Sequence, residues 1–282
     1  MRINGIQSRR RSAFTLIELL TVIGIITVLV ALVGGAVFRV MASQSLKRTE
    51  SRVKTVQTGL ELQWRAVIDD AKEDFKTGKV PASLVSAAGN DRDRAYVLWI
   101  KMRLKQEFPQ SFAEVQSWNL GSYMPVKQFY LQELTGATST GDPRESAVLL
   151  YLALSQSRRG SSFNTDDVGS GATATIVVGN KQFRVFVDSW GNPITFERWT
   201  TDAAILTELT SDYVPTAQTY KDLQDPTGKL QGWSAGNFAI WLHPFTNQNR
   251  GPVVRSWGPD KTVSTNDDIL AFRLMKEGQR GN

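Results

Sequence analysis

The sequence predicts an α+β fold with one long amino-terminal helix, a helical middle section and a mostly antiparallel carboxy-terminal sheet. Three observations predict it. No proline occurs between Phe14 and Pro81. Apolar residues in that stretch recur at helical spacing. Beyond about residue 171 the pattern changes to short β-branched runs separated by Gly, Asn and Pro.

The chain opens on a basic cluster, Arg9-Arg10-Arg11, then Ser12-Ala13-Phe14-Thr15-Leu16-Ile17-Glu18. From Leu19 to Phe38 run 20 residues without a charge. That makes about 30 Å of helix, enough to cross a bilayer core. The arginines ahead of it predict a cytoplasmic amino terminus and an extracytoplasmic bulk. An ordinary signal peptide would place a small-residue cleavage site after a shorter apolar core. Here the small residue precedes the apolar run. A plain signal anchor fits the hydropathy but leaves Glu18 unexplained, because a carboxylate at a membrane edge costs free energy.

Beyond Arg39 the pattern becomes amphipathic. Leu46, Val53, Val56, Leu60, Trp64, Val67, Ala71 and Phe75 follow mostly three- and four-residue steps, one face of a helix. Lys47, Arg48, Glu50, Arg52, Lys54 and Glu61 occupy the other face. A helix from Phe14 to about Phe75 would be on the order of 90 Å long. Gly34-Gly35 is a soft point in it, since glycine lowers helix propensity. Gly78 and Pro81 end it.

The middle section reads as helices. Asp91 or Asp93 caps one that runs through Lys105 with Ala95, Leu98, Trp99 and Met102 on one face. Ser111-Phe112-Ala113-Glu114 fits a capping box. A helix over Val126–Thr135 meets Gly136. Asp142-Pro143 opens another, as cap and first-turn proline, which ends near Gly160. Gly160–Gly171 reads as a loop. Strands follow at Ala174–Val178 and Gln182–Val187 around Gly179-Asn180, then at Ile194–Trp199. Thr200–Ser234 reads as a long loop. Asn237–Leu242, Pro252–Ser256 and Ile269–Leu274 are the last strand candidates. The boundaries are 1–13 for a leader, 14–78 for the long helix (membrane part about 16–38, amphipathic part about 39–78), 79–170 for the helical section and 171–282 for the sheet.

Composition narrows the chemistry. Cysteine is absent, which excludes thiol chemistry and thiolate metal sites. The single histidine, His243, suits a structural role better than a zinc site. The formal charge of +6 counts Arg2, Arg9, Arg10 and Arg11. Without them it falls to about +2, too little to argue for nucleic acid. Asp69-Asp70 and Asp166-Asp167 read as solvated faces. Hydrolase, metalloprotease and P-loop signatures do not occur. The scattered tryptophans read as core.

The segment from Arg9 to Val30 closely resembles the leader and helix of type IV pilins and of the pseudopilins of type II secretion systems. The resemblance implies a pilin-like fold. It also implies that a prepilin peptidase cuts between Ala13 and Phe14 and methylates Phe14. Glu18 would then neutralise the amino terminus of the next subunit in a filament; the plainer reading is an acid favoured by the positive end of the helix dipole. The implied partners are other pilin or pseudopilin subunits, the prepilin peptidase, an inner-membrane assembly platform and the lipid bilayer.

Two carboxy-terminal segments are similar to the major pseudopilin. Asp188-Ser189-Trp190-Gly191-Asn192-Pro193 matches its turn between strands. Ser256-Trp257-Gly258-Pro259-Asp260-Lys261, with Thr265-Asn266-Asp267-Asp268-Ile269, matches its calcium loop. That likeness implies calcium held by Asp260, Asp267, Asp268 and Ser256; the plain alternative is an acidic turn. Lys261 stands where the family loop has a small residue. The chain is also longer than a major pseudopilin, and residues 80–170 match no part of one. The implied function is a filament subunit rather than an enzyme. A minor pilin acting in binding, adhesion or DNA uptake is the alternative, and a single-pass membrane hydrolase a more distant one. A cluster of Arg92, Arg94, Lys101, Arg103 and Lys105 would favour nucleic acid; an enclosed pocket with several carboxylates would favour the enzyme.

Overall fold

A computed structural model describes residues 15–160, 163–199, 224–230, 232, 233, 236, 238, 242, 251–263 and 265–274. The leader, Ala13, Phe14, His243 and most of the loop expected over 200–234 lie outside these residues. The chain divides into two compact units, Met1–Lys47 and Arg48–Asn282.

Helix α1 spans Leu16–Lys76, 61 residues, and contributes to both units. In the first unit it is a continuous apolar helix. Thr21 and Thr27 turn their hydroxyls back onto the carbonyls of Ile17 and Ile23, each at 2.8 Å. Their polar groups are thus satisfied within the helix, as an apolar medium requires. In the second unit the expected stripe is buried at Val53, Val56, Leu60, Trp64, Val67 and Ala71. Leu46 belongs to the first unit and is exposed. The helix ends in a Schellman turn. Gly78 sits at φ +73°, its N–H donates to Phe75 O, and the Lys79 N–H donates to Asp74 O.

Short α2 (Ala82–Ala87) leads to α3 (Arg92–Glu107). Asp91 caps α3 by accepting the N–H groups of Asp93 and Arg94. Ser111 caps α4 (Phe112–Gln116) through the Glu114 N–H. The expected capping box is only half formed. Glu114 takes the N–H of Gln110, not of Ser111, and its carboxylate is held by Arg198. Next come α5 (Gln128–Glu133) and α6 (Arg144–Leu154). The loop after α6 holds a 3-10 turn, Thr165–Val168, closed by a capping box between Asn164 and Asp167.

Strands β1 (Thr173–Val178) and β2 (Lys181–Phe186) form the expected hairpin. Gly179 and Asn180 take φ +56° and +68°, the backbone of a two-residue hairpin turn. Strands β3 (Thr195–Glu197), β4 (Val253–Ser256) and β5 (Ile269–Leu270) make a second antiparallel sheet in that order. A single bridge, Val187↔Pro193, links the end of β2 to the approach of β3. Two strand expectations change. Ile269–Leu274 keeps two strand residues, and 271–274 are helical. Within Asn237–Leu242, the described Phe238 and Leu242 are helical.

The helical section and the sheets share their cores. One cluster joins Val56 and Leu60 of α1, Leu98 and Met102 of α3, Ile194, and Phe196 and Val254 of the second sheet. Another joins Tyr130, Ala147, Val148 and Leu149 to Val178, Phe183 and Val185 of the hairpin. Helix α6 packs on both β2 and β3. Mixed α+β architecture is therefore present, with the helical section forming part of the globular core.

Candidate functional site

The first site is the mouth of α1. Thr15 precedes the helix and Glu18 is its third residue. The Thr15 N–H and hydroxyl both donate to Glu18 Oε2 at 2.8 Å, and the Glu18 N–H donates to Thr15 Oγ1 at 3.3 Å. This is a reciprocal capping box. Sequence reasoning missed Thr15, although the signal was present as Thr-x-x-Glu ahead of an apolar run. Among the described residues, no hydrogen bond reaches Glu18 Oε1. From Leu16 to Val33 follow 18 residues of mean hydropathy 2.8, and none is buried within the chain. This one helix, among the described residues, is long and apolar enough to cross a membrane.

The second site is the carboxy-terminal region around Asp188 and Ser256. Asp188 is buried and organises its own turn. Oδ1 accepts the N–H groups of Trp190 and Asn192, while Oδ2 accepts Asn192 Nδ2 and Ser256 Oγ. Asn192 Nδ2 also reaches Gly258 O at 2.7 Å. The segments around Asp188 and Ser256 therefore clamp each other. Helix α1 grips the same turn. Arg52 Nη1 donates to the carbonyls of Val187 and Asp188, and Thr49 Oγ1 accepts the Ser189 N–H.

The four expected calcium ligands do not converge. Ser256 spends its hydroxyl on Asp188. Asp268 is buried, with Oδ2 3.7 Å from Arg255 Nη1. Asp260 and Asp267 do come together: the Asp260 N–H donates to Asp267 Oδ2 at 3.2 Å. Thr265 Oγ1 donates to Asp267 Oδ1 at 2.6 Å, and this bond is the main cause holding the Asp267 carboxyl below its ordinary range. Gly258 lets the strands close here. At φ +70°, it has no room for a Cβ, which would lie 2.5 Å from Asp267 O. Among the described residues, no three His, Cys, Asp or Glu side chains form a metal-binding group. A calcium site here fits two carboxylates, Asp260 and Asp267, and not the set of four.

The basic residues of α3 are dispersed. Arg94 bonds the carbonyls of Ala88 and Lys229 and lies over Trp233. Lys101 and Lys105 are buried. Arg103 reaches Asp74, and Arg92 lies over Phe75. An open cavity of about 360 Å³ beside α1 is lined by Lys54, Thr55, Thr58, Leu62, Phe163 and Asp167, with one carboxylate among them.

An exposed apolar helix thus opens on a capped acid, and a separate α+β unit follows in the chain. Residues 8–34 match the prokaryotic N-terminal methylation motif, the prepilin-type segment that a prepilin peptidase processes in type IV pilins and pseudopilins. Neither a curated protein nor a solved structure matches the chain.

Proposed function

We propose that this chain is a structural subunit of a type II secretion or type IV pilus-like filament and not an enzyme. A prepilin peptidase cuts between Ala13 and Phe14, and the chain assembles through its first helix. The observation that carries this reading is the methylation motif running into a wholly exposed apolar helix. Such a surface needs either lipid or neighbouring helices to cover it. Before assembly the helix sits in the inner membrane, amino terminus in the cytoplasm and globular unit outside. In the filament the same side chains pack on neighbouring subunits.

Glu18 serves both states. Oε2 caps its own helix through Thr15, and the open Oε1 receives the charged amino terminus of a neighbour. Calcium, in this reading, binds the Asp260–Asp267 pair together with backbone carbonyls and water, and closes the loop ahead of β5. The dispersed α3 cations favour neither DNA uptake nor another nucleic-acid role. The open cavity with its lone carboxylate gives no support to a hydrolase.

Two measurements test the proposal. Mass spectrometry of mature protein from its host should find N-methylated Phe14 at the start; assembled material that retains Met1 overturns it. Glu18→Val should leave membrane insertion intact, because the segment only becomes more apolar. Cross-linked multimers should then be lost, and wild-type levels of them would refute the pairing role of Glu18.

A further inference from the structure

Among the described residues, strand β1 pairs with β2 alone and leaves its other edge open. Its even-numbered residues bond inward to β2, as the Val187 N–H to Ala172 O bond shows at the start of the ladder. The N–H and C=O groups of Thr173, Thr175 and Val177 point the other way and make no hydrogen bond among the described residues. The strand reads Thr-Ala-Thr-Ile-Val-Val, with no charge, no proline and no bulge. Soluble edge strands usually carry one of those protections, since an unprotected edge is a template for another strand. Val177 is 56% exposed beside this edge. Ala174 and Ile176, on the opposite face, are only partly covered by the hairpin core.

Both ends of the edge are closed. At the turn, the Thr138 N–H donates to Gly179 O at 2.8 Å, which covers the position after Val177. At the other end Gly171, at φ +66°, turns the chain out of the strand direction. The open window is therefore Thr173 to Val177, centred on Thr175. An antiparallel strand that uses all three outward pairs of this window pivots on its centre. The window is self-complementary: Thr175 meets Thr175, and Thr173 meets Val177. The outer face would carry a Thr–Thr pair flanked by Thr–Val pairs, all favourable cross-strand neighbours. The inner face would close Ala174 against Ile176. Arg184 is opposite Thr175 on β2 and donates to Thr173 Oγ1 at 3.0 Å. The two copies of Arg184 would then lie three strand spacings apart, about 14 Å, beyond the Debye length at physiological salt.

We propose that β1 pairs antiparallel with β1 of a second copy, joining two hairpins into one four-stranded sheet across a two-fold axis. Five residues against five bury less than the roughly 1,000 Å² of a stable interface. The pairing therefore forms where the anchor concentrates the chains, in the membrane or between neighbouring filaments. A two-fold contact closes on itself, whereas filament growth uses a head-to-tail contact. The edge thus couples chains laterally and does not extend the filament.

The cysteine-free sequence makes the test direct. Full-length Thr175→Cys protein in its membrane is treated with a mild oxidant. A hydrogen-bonded antiparallel pair sets its Cα atoms about 5.5 Å apart, within disulfide range. Thr175→Cys should give a covalent homodimer. Val177→Cys should not, because the two copies of residue 177 lie about 14 Å apart along the strands. A chain with both Thr173→Cys and Val177→Cys should dimerise again, since the register sets 173 opposite the partner's 177. Absence of dimer from both competent variants overturns the proposal, as does equal dimer from Val177→Cys. A Thr175→Cys adduct with a different protein also overturns it. The result is separable from the filament reading: the Thr175→Cys dimer should persist in a Glu18→Val background that no longer assembles.

Discussion

Replacing Glu114 by Gln removes one charge from a buried pair and leaves the shape of the side chain. Arg198 donates to Glu114 through both terminal nitrogens at 2.8 Å and to Phe108 O at 2.9 Å. Lys105 lies 4.0 Å from the same carboxylate. Burial alone would raise the Glu114 pKa, but Arg198 outweighs it and the carboxyl falls from 4.5 to about 2. Glu114 thus stabilises the fold fully above its ordinary pKa, and the contribution is lost as pH falls toward 2. The difference of 2.5 pKa units corresponds to about 3 kcal/mol at 1.36 kcal/mol per unit. The Glu114 side chain keeps 22% exposure, so solvent trims that figure only modestly. The assay is tryptophan-monitored urea unfolding of the full chain in detergent at stepped pH, wild type beside Glu114→Gln. The stability gap should be widest above pH 5 and shrink by about 2–3 kcal/mol toward pH 2. A gap that stays constant with pH would refute the reasoning, because the pair would then contribute shape and not charge.

Gln57→Leu should lower stability by about 3 kcal/mol in the same assay, since two buried backbone groups, Pro252 O and the Val254 N–H, lose their partner. A loss under about 1 kcal/mol would mean that water replaces the carboxamide. Millimolar calcium should raise the melting temperature of the full chain over chelator, and a ligand at 100 times its Kd adds about 2.7 kcal/mol. Asp267→Ala should abolish that rise. Asp268→Ala should lower stability with and without calcium alike, because it strips Arg255 of a carboxylate. A melting temperature indifferent to calcium would leave the loop as a turn. Thr15→Val should cost the α1 terminus about 1 kcal/mol of capping while leaving the apolar span intact, read as faster amide exchange over the first turn.

What was legible in the sequence was local. Asp91, Ser111, Gly78 and the Gly179-Asn180 turn act within a few residues of themselves, so their chemistry shows in the sequence order. The stripe from Val53 to Ala71 was readable for the same reason. Apart from the Thr15 cap, which is local, the main departures turn on distant partners. Glu114 left its capping box because Arg198, 84 residues on, holds it. Asp268 lies beside Arg255, and Ser256 bonds Asp188 across 68 residues, contacts that sequence order does not show. Lys101 and Lys105 gave α3 a polar-looking face, yet both are buried. The Ile269–Leu274 run has strand composition, but pairing with Arg255 and Ser256 accounts for only its first two residues.

Helix α1 is tied to the rest of its globular unit at four levels along its length. Thr49 holds Ser189, Arg52 the Asp188 turn, Gln57 the start of β4, and Gln63 the carbonyl of Leu154. A pull along the helix axis meets these ties side by side, as a zip pulled lengthwise meets all its teeth at once. Such a load is shared, whereas peeling would break one tie at a time. Forced unfolding is governed by the barrier to the first rupture. A globular unit built this way meets a load along α1 with all four ties together.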